Sequence, residues 1–205
     1  YSRVKIEEGV QKLLEADVVL FSLYIWNVKL SLEIAKRVKA INPKTVIICG
    51  GPQVPDHGDN FLRTNPFIDL ACHGPGEKII CSVLSLCKTK DWEEVPAVSY
   101  IDNENNFVQH PKLPRKKEDL SNFVSPYLAE TFNPLMEKKP NEQWLVLWET
   151  NRGCPFSCTF CDWGSATQSK IYQLDIEQLT QEVDWFADHK IEFIFCCDAN
   201  FGILK

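Results

Sequence analysis

The chain has 205 residues, room for one large domain or two small ones, and 44% of them are hydrophobic, enough to build real cores. Its 22 basic and 28 acidic side chains leave a net charge of −6 with no basic block, which argues against an electrostatic nucleic-acid footprint. The longest apolar runs, Val18 to Ser22 and Leu145 to Trp148, are far too short to span a bilayer, so no membrane partner is expected.

Residues 5 to 90 alternate helix and strand. A helix is expected over Val4 to Glu15, then a buried parallel strand over the continuous apolar run Asp17 to Tyr24. Val28, Leu32, Ala35, Val38 and Ile41 recur at spacings of four and three and mark an amphipathic helix that Asn42-Pro43 ends. A second strand covers Thr45 to Gly50, and Gly50-Gly51-Pro52 turns abruptly out of it. A weaker helix covers Asp59 to Thr64, a third strand Phe67 to Cys72, and a further helix runs from Glu77 to about Lys88. Helices between strands imply right-handed crossovers, hence an α/β fold with a Rossmann-like, doubly wound parallel sheet. The alternation opens on a helix, so a further strand is expected ahead of Tyr1.

From Val95 the pattern changes. Ala97 to Ile101 and Phe107 to Gln109 flank Asp102 to Asn106 as a hairpin, which closes a first domain over residues 1–110. Five prolines and a charged cluster then mark residues 111–143 as a linker, whose Phe123, Tyr127, Leu128 and Phe132 suggest packing. A second βαβ unit occupies 144–205: strand Trp144 to Thr150, a cysteine-rich loop, helix Asp175 to His189 and strand Glu192 to Asp198. Asp175 suits an N-cap, and Ile176, Leu179, Val183 and Phe186 form the inner stripe of that helix. The chain has no initiator Met and stops just after a strand, so it reads as an internal piece of a larger protein. Nine cysteines and no secretory segment imply a reducing, cytoplasmic setting.

Cys154, Cys158 and Cys161 stand as Cys-x-x-x-Cys-x-x-Cys within Glu149 to Gly164, with no further cysteine or histidine close behind. A structural zinc site wants four ligands, usually as two well-separated pairs. The next cysteines, Cys196 and Cys197, are adjacent in an expected strand and point to opposite faces. Thiolates also hold iron–sulfur clusters, and three of them would leave one iron of a cubane without a protein ligand. Cys49, Cys72, Cys81 and Cys87 fall in strands or on helix faces and read as small buried hydrophobes.

Ligands of open α/β sheets bind beyond the carboxyl ends of the strands. Here those ends carry Ser22, Leu23 and Tyr24; Gly50, Gly51, Pro52 and Gln53; and His73, Gly74, Gly76 and Glu77. Glycine after a parallel strand is equally a tight turn, and His73 is equally a satisfied surface histidine. Asp198 and Asn200 close the last strand, where a plain polar turn is the competing reading. Glu149 and Arg152 bracket the cysteine loop, as orienting groups or as an ordinary ion pair.

The cysteine spacing, with Phe160 before the last thiol and Arg152-Gly153 before the first, resembles the cluster loop of the radical S-adenosylmethionine enzymes. The order of the whole chain resembles the cobalamin-binding members of that family: Gly50-Gly51-Pro52 and Gly74-Pro75-Gly76-Glu77 at strand ends, a hairpin, a proline-rich linker, then the three cysteines. The resemblance implies the start of a partial (β/α) barrel after the linker and three cofactors: a 4Fe–4S cluster on Cys154, Cys158 and Cys161, S-adenosylmethionine, and cobalamin. In the family the open iron chelates S-adenosylmethionine, which is cleaved to a 5′-deoxyadenosyl radical. Phe160 is then expected beside the adenine, Asp198 and Asn200 in the same pocket, and the strand-end residues of the first domain around cobalamin. Asp56-His57-Gly58 does not fit the Asp-x-His-x-x-Gly motif of methionine-synthase-type domains, so no histidine of that motif ligates cobalt. The lower face is left to backbone or to an apolar residue near Gln53 and Val54.

Three functions compete on these residues. The first is a methyltransferase acting on an unactivated carbon or phosphorus of a small-molecule or peptide substrate, with a flavodoxin- or ferredoxin-type electron donor. The second is a radical enzyme for cyclisation or rearrangement, with cobalamin vestigial or differently used. The third is a non-enzymatic metal module, which the missing fourth ligand disfavours.

Overall fold

A computed structural model describes residues 4–112, 123–156, 158–161 and 171–203. The chain divides into two units, Tyr1–Pro114 and Arg115–Lys205. The first is built from α1 (Ile6–Leu13), β1 (Val18–Ser22), α2 (Val28–Ile41), β2 (Val46–Gly50), α3 (Asp59–Thr64), β3 (Leu70–Cys72), α4 (Glu77–Leu86), β4 (Val98–Ile101) and β5 (Phe107–Gln109). Its strands run in sequential order across one five-stranded sheet. β1, β2 and β3 are parallel, with Val18 opposite Val46 and Ile48 opposite Leu70, and β4 and β5 add an antiparallel end to the same sheet.

Both faces are covered, because the parallel strands bury alternate residues on opposite sides. Val19, Ile47, Cys49 and Ala71 pack with Val10 of α1, Ala35 and Val38 of α2 and Leu62 of α3. Val46, Ile48, Leu70 and Cys72 pack with Ile79 and Val83 of α4 and with Trp92 and Val95. Asp69 ties the layers: its carboxylate accepts from Lys39 and Lys90, each at 2.7 Å, and from the Ile47 amide. The Asn42 amide closes α2 on the Val38 carbonyl at 2.8 Å, and Pro43, which has no N–H, cannot continue it.

Three expectations change. β1 lies at one end of the sheet, so Leu20 is 49% exposed instead of buried on both faces. α2 buries Ser31, Ile34, Ala35 and Val38 and leaves Ile41 61% exposed, since the helix turns its small residues inward. Cys81 is exposed and Cys87 half-buried, whereas Cys49 and Cys72 are core residues as read.

The second unit comprises α5 (Asn133–Glu137), β6 (Leu145–Trp148), β7 (Asn151–Arg152), β8 (Tyr172–Gln173), α6 (Ile176–Asp188) and β9 (Phe193–Cys196). β6 and β9 pair in parallel with α6 as the intervening crossover, and β7 pairs antiparallel with β8. The Asp175 side chain caps α6 by accepting from the Gln178 amide at 3.3 Å. Of the expected stripe the helix buries Leu179 and Phe186 but not Ile176 and Val183. Leu179, Glu182, Trp185 and Phe186 face inward, while Ile176 and Val183 are 66% and 44% exposed. Tyr127 explains the rotation: it is buried in this core with its ring 5.4 Å from Trp185 and 4.9 Å from Phe186. Glu182 is tolerated inside because its carboxylate accepts from Trp148 Nε1 at 2.7 Å and Gln178 Nε2 at 3.3 Å. On the opposite face of the strand pair, Leu145, Leu147, Phe193 and Phe195 are all more than half exposed.

Gly51 combines a φ of +95° with a virtual Cβ only 2.8 Å from the Leu23 carbonyl oxygen, whereas Gly74, at φ +82°, has nothing within 4 Å. Gly51→Ala is therefore expected to cost about 3 kcal/mol, and Gly74→Ala only the left-handed penalty of about 1 kcal/mol. Denaturant midpoints of the two variants check this, and equal losses would refute the close-approach explanation.

Candidate functional site

Two sets of residues gather at the carboxyl ends of parallel strands. In the first unit the chain leaves β1 through Ser22 to Asn27. Asn27 organises the exit: its Oδ1 accepts from the Tyr24 amide at 2.7 Å and its Nδ2 donates to the Ser22 carbonyl at 2.9 Å. The loop so held presents Tyr24 stacked on Trp26, ring centroids 4.6 Å apart and planes at 13°, with Ile25 and Trp26 76% and 70% exposed. Trp26, next to Ile25 at the expected strand end, escaped the sequence reading. The signal was an apolar Tyr-Ile-Trp triplet past the end of a strand and ahead of a helix, where nothing in the fold asks for apolar residues.

The other expected residues divide into scaffold and surface. Leu23 is fully buried, and its amide and carbonyl bond Gly50 O and Gln53 N at 2.7 and 3.1 Å. Gly51 is demanded by that same backbone. Val54 sinks into the core and offers no face to a ligand. Pro52, Gln53, Gly74, Gly76 and Glu77 are exposed, and both glycines open onto free space.

His73 departs most from expectation. It is 4% exposed, and its Nε2 lies 2.9 Å from the Ser99 hydroxyl on β4, so it faces the hairpin and not a cleft. Burial pushes its basicity below the ordinary 6.5, aided by Lys112. Burial likewise raises the Cys49 thiol to about 12 and the Cys72 thiol to about 11, so both stay protonated and unreactive at neutral pH.

In the second unit the cysteine loop is tied to the end of β9. Asp198 Oδ1 accepts from the Thr150 and Asn151 amides at 2.7 and 3.2 Å. Its Oδ2 accepts from Asn151 Nδ2 at 2.8 Å and from the Thr150 hydroxyl. Asn200 donates from Nδ2 to Cys154 Sγ at 3.1 Å. Glu149 and Arg152 form a two-pronged ion pair at 3.0 and 2.8 Å. Cys154 is buried, Cys158 and Cys161 are exposed, and the Cys161 amide turns back to the Cys158 carbonyl at 3.1 Å. Phe160 is 91% exposed.

Among the described residues no three His, Cys, Asp or Glu side chains are gathered as a single metal ion would need. A cubane binds each thiolate on a different iron, so the three free thiols of one loop fit it as a donor set. A cavity of about 250 Å³ in the same unit is lined by Trp148, Asn151, Ile176, Val183 and Phe201 among others. Asn151 is 2% exposed, and its Oδ1 has no hydrogen-bond partner among the described residues.

Residues 2–84 match the family model of the B12 binding domain. The chain is 39% identical over 203 residues to the cobalamin-dependent radical SAM methyltransferase TokK of Streptomyces tokunonensis, covering 97% of this chain and 30% of that protein. It is 38% identical over 211 residues to the 2-(S-pantetheinyl)-carbapenam-3-carboxylate methyltransferase of Streptantibioticus cattleyicolor, covering 98% and 30%. Residues 2–84 thus match a B12 binding domain, and nearly the whole chain is similar to part of a cobalamin-dependent radical SAM methyltransferase. The chain spans about 30% of the length of these two relatives. The solved structure of the cobalamin-dependent S-adenosylmethionine radical enzyme OxsB, with aqua-cobalamin and S-adenosylmethionine bound, shares the fold: TM-score 0.72 at 22% identity, covering 96% of this chain and 28% of that one. The B12-binding match supports cobalamin as the ligand of the first unit, and the open glycine turns and the flat exposed Tyr24–Trp26 stack suit a large planar ring. Among the described residues no helix is long and apolar enough to cross a membrane.

Because the folded His73 binds its proton more weakly than the unfolded chain does, its stabilising contribution is present above pH 6.5 and lost as pH falls through the depressed value. Unfolding free energy of the protein is expected to decline on acidification from pH 6.5, and His73→Gln to flatten that decline. Identical pH profiles for variant and wild type would contradict it.

Proposed function

We propose that the protein carrying this chain is a cobalamin-dependent radical S-adenosylmethionine methyltransferase, acting on an unactivated carbon or phosphorus centre. The observation that carries this reading is the pairing, within one chain, of a B12-binding match with a Cys-x-x-x-Cys-x-x-Cys loop anchored at the end of a parallel strand pair. The near-complete coverage of this chain by two relatives named as methyltransferases supports it. When bound, the 4Fe–4S cluster, S-adenosylmethionine and cobalamin together supply the electron, the radical and the methyl group.

The chain's own residues bind and position. Cys154, Cys158 and Cys161 would hold the cluster. Asp198 fixes the exit of β6 so that the thiols leave the sheet on a defined path. Tyr24, Trp26, the exposed Gly51–Gln53 turn and the open Gly74–Glu77 turn would receive the corrin, with Ser22 contributing at the rim. Asp56-His57-Gly58 lacks the spacing of the cobalt-ligating histidine motif, and His73 is buried with its Nε2 on the Ser99 hydroxyl. Phe160 is exposed and free to pack on the adenine. A low-potential electron donor of flavodoxin or ferredoxin type and a cytoplasmic setting complete the proposal.

Three experiments test it. The full-length protein, reconstituted anaerobically with iron, sulfide and hydroxocobalamin, is expected to retain cobalamin through gel filtration; loss with the cluster intact would move the reading to non-methylating radical chemistry. Replacing Trp26 with Ala is expected to weaken cobalamin retention about tenfold through lost stacking and apolar contact. Separately, Cys154→Ala, Cys158→Ala and Cys161→Ala are each expected to abolish 5′-deoxyadenosine formation. Product retained in any one of them would remove that cysteine from the ligand set.

A further inference from the structure

The family resemblance implies a place for Asn200 in the S-adenosylmethionine pocket, but its amide is already engaged on a sulfur. Asn200 Nδ2 lies 3.1 Å from Sγ of Cys154, the thiol that is only 9% exposed. The contact is not a chance meeting of two loops. Asp198, two residues earlier, accepts from the Thr150 and Asn151 backbone amides and from both of their side chains. Asn151 Nδ2 also reaches the Asn200 carbonyl at 3.3 Å. The end of β9 and the approach to Cys154 therefore form one hydrogen-bonded block, and Asn200 is aimed at the sulfur from within it.

We propose that Asn200 is a positioning residue for Cys154 that raises the reduction potential of the cluster, an inference resting on the cluster reading above. Reduction adds one electron, and part of that charge is carried by the thiolate sulfurs. A buried sulfur has little water to stabilise it, so a fixed N–H dipole aimed at Sγ favours the reduced state over the oxidised one. Hydrogen bonds to sulfur and burial are two of the levers that set such potentials. Cys158 and Cys161 are exposed and have solvent available for the same purpose. The buried ligand is where a protein donor has the most effect. Asp198 acts one step further back, by holding the block that aims Asn200.

The test uses the full-length protein, reconstituted anaerobically with iron and sulfide and studied without S-adenosylmethionine. Asn200→Leu keeps the bulk and removes the donor. In an EPR-monitored redox titration it is expected to shift the one-electron equilibrium about tenfold toward the oxidised cluster, about 59 mV to lower potential. Asn200→Asp should shift it further in the same direction, because a carboxylate faces the sulfur, and Asn200→Gln, which keeps an amide donor, should shift it less than Leu. Loaded clusters with wild-type potential in both the Leu and Asp variants would overturn the proposal. Should those variants fail to load, the wild type itself decides. With the asparagine side-chain amides labelled with ¹⁵N, pulsed EPR of the reduced cluster is expected to detect a weakly coupled nitrogen, and its absence would overturn the proposal. A wild type that binds no iron at all would instead reject the cluster reading on which this one stands.

Discussion

The second unit depends on one carboxylate. Where parallel strands end, the chain leaves the sheet with amides that the ladder no longer pairs, and a buried amide left alone is costly. Asp198 resolves this at β6: two backbone amides, a hydroxyl and a side-chain amide all donate to it. Bonds to an ionised acceptor are the stronger kind. They fix the direction in which residues 149–154 depart, and the Glu149–Arg152 pair stiffens the next step. The thiol of Cys154 is buried as a consequence of that path, not through an apolar shell built for it.

The same logic runs through the first unit with different groups. Gly51 is present because the Leu23 backbone leaves no room for a Cβ. His73 bridges by Nε2 to Ser99, joining the end of β3 to the hairpin. Several residues that read as ligand contacts from their position at strand ends are thus the means by which those ends are closed. Ligand-facing character passes to what is left exposed: Tyr24, Ile25 and Trp26 on one loop and the open Gly74–Gly76 turn on another. A strand end must satisfy its own backbone before it can serve a cofactor, and residue type alone does not distinguish the two duties.

This explains which parts were legible in the sequence. Strands β1 and β2, the α3 helix, the hairpin and the Asp175 cap rest on local signals, namely apolar runs, turn residues and a capping side chain, and each is found at or within a few residues of the expected span. The inner faces of α2 and α6 were less legible, because burial there is set by distant partners. Glu182 goes inside since Trp148 and Gln178 satisfy its carboxylate, and Tyr127, far upstream, supplies the ring against which Trp185 and Phe186 turn. Hydropathy ranks Ile176 and Val183 above Glu182 and so rotates the helix the wrong way. The cysteine spacing was legible as chemistry, but the hydrogen bond from Asn200 to Cys154 was not, since no pattern links residues 46 positions apart.

The two units treat their thiols in opposite ways, and this divides the chemistry between them. Cys49 and Cys72 sit in the sheet interior, where desolvation holds both protonated far above neutral pH. Cys154 is nearly as buried, yet it has an amide donor on its sulfur and lies on a loop that leaves the sheet. With nine free cysteines in one chain, the Asn200 donor and the path of its loop, beyond the spacing alone, set Cys154 apart from the two core thiols.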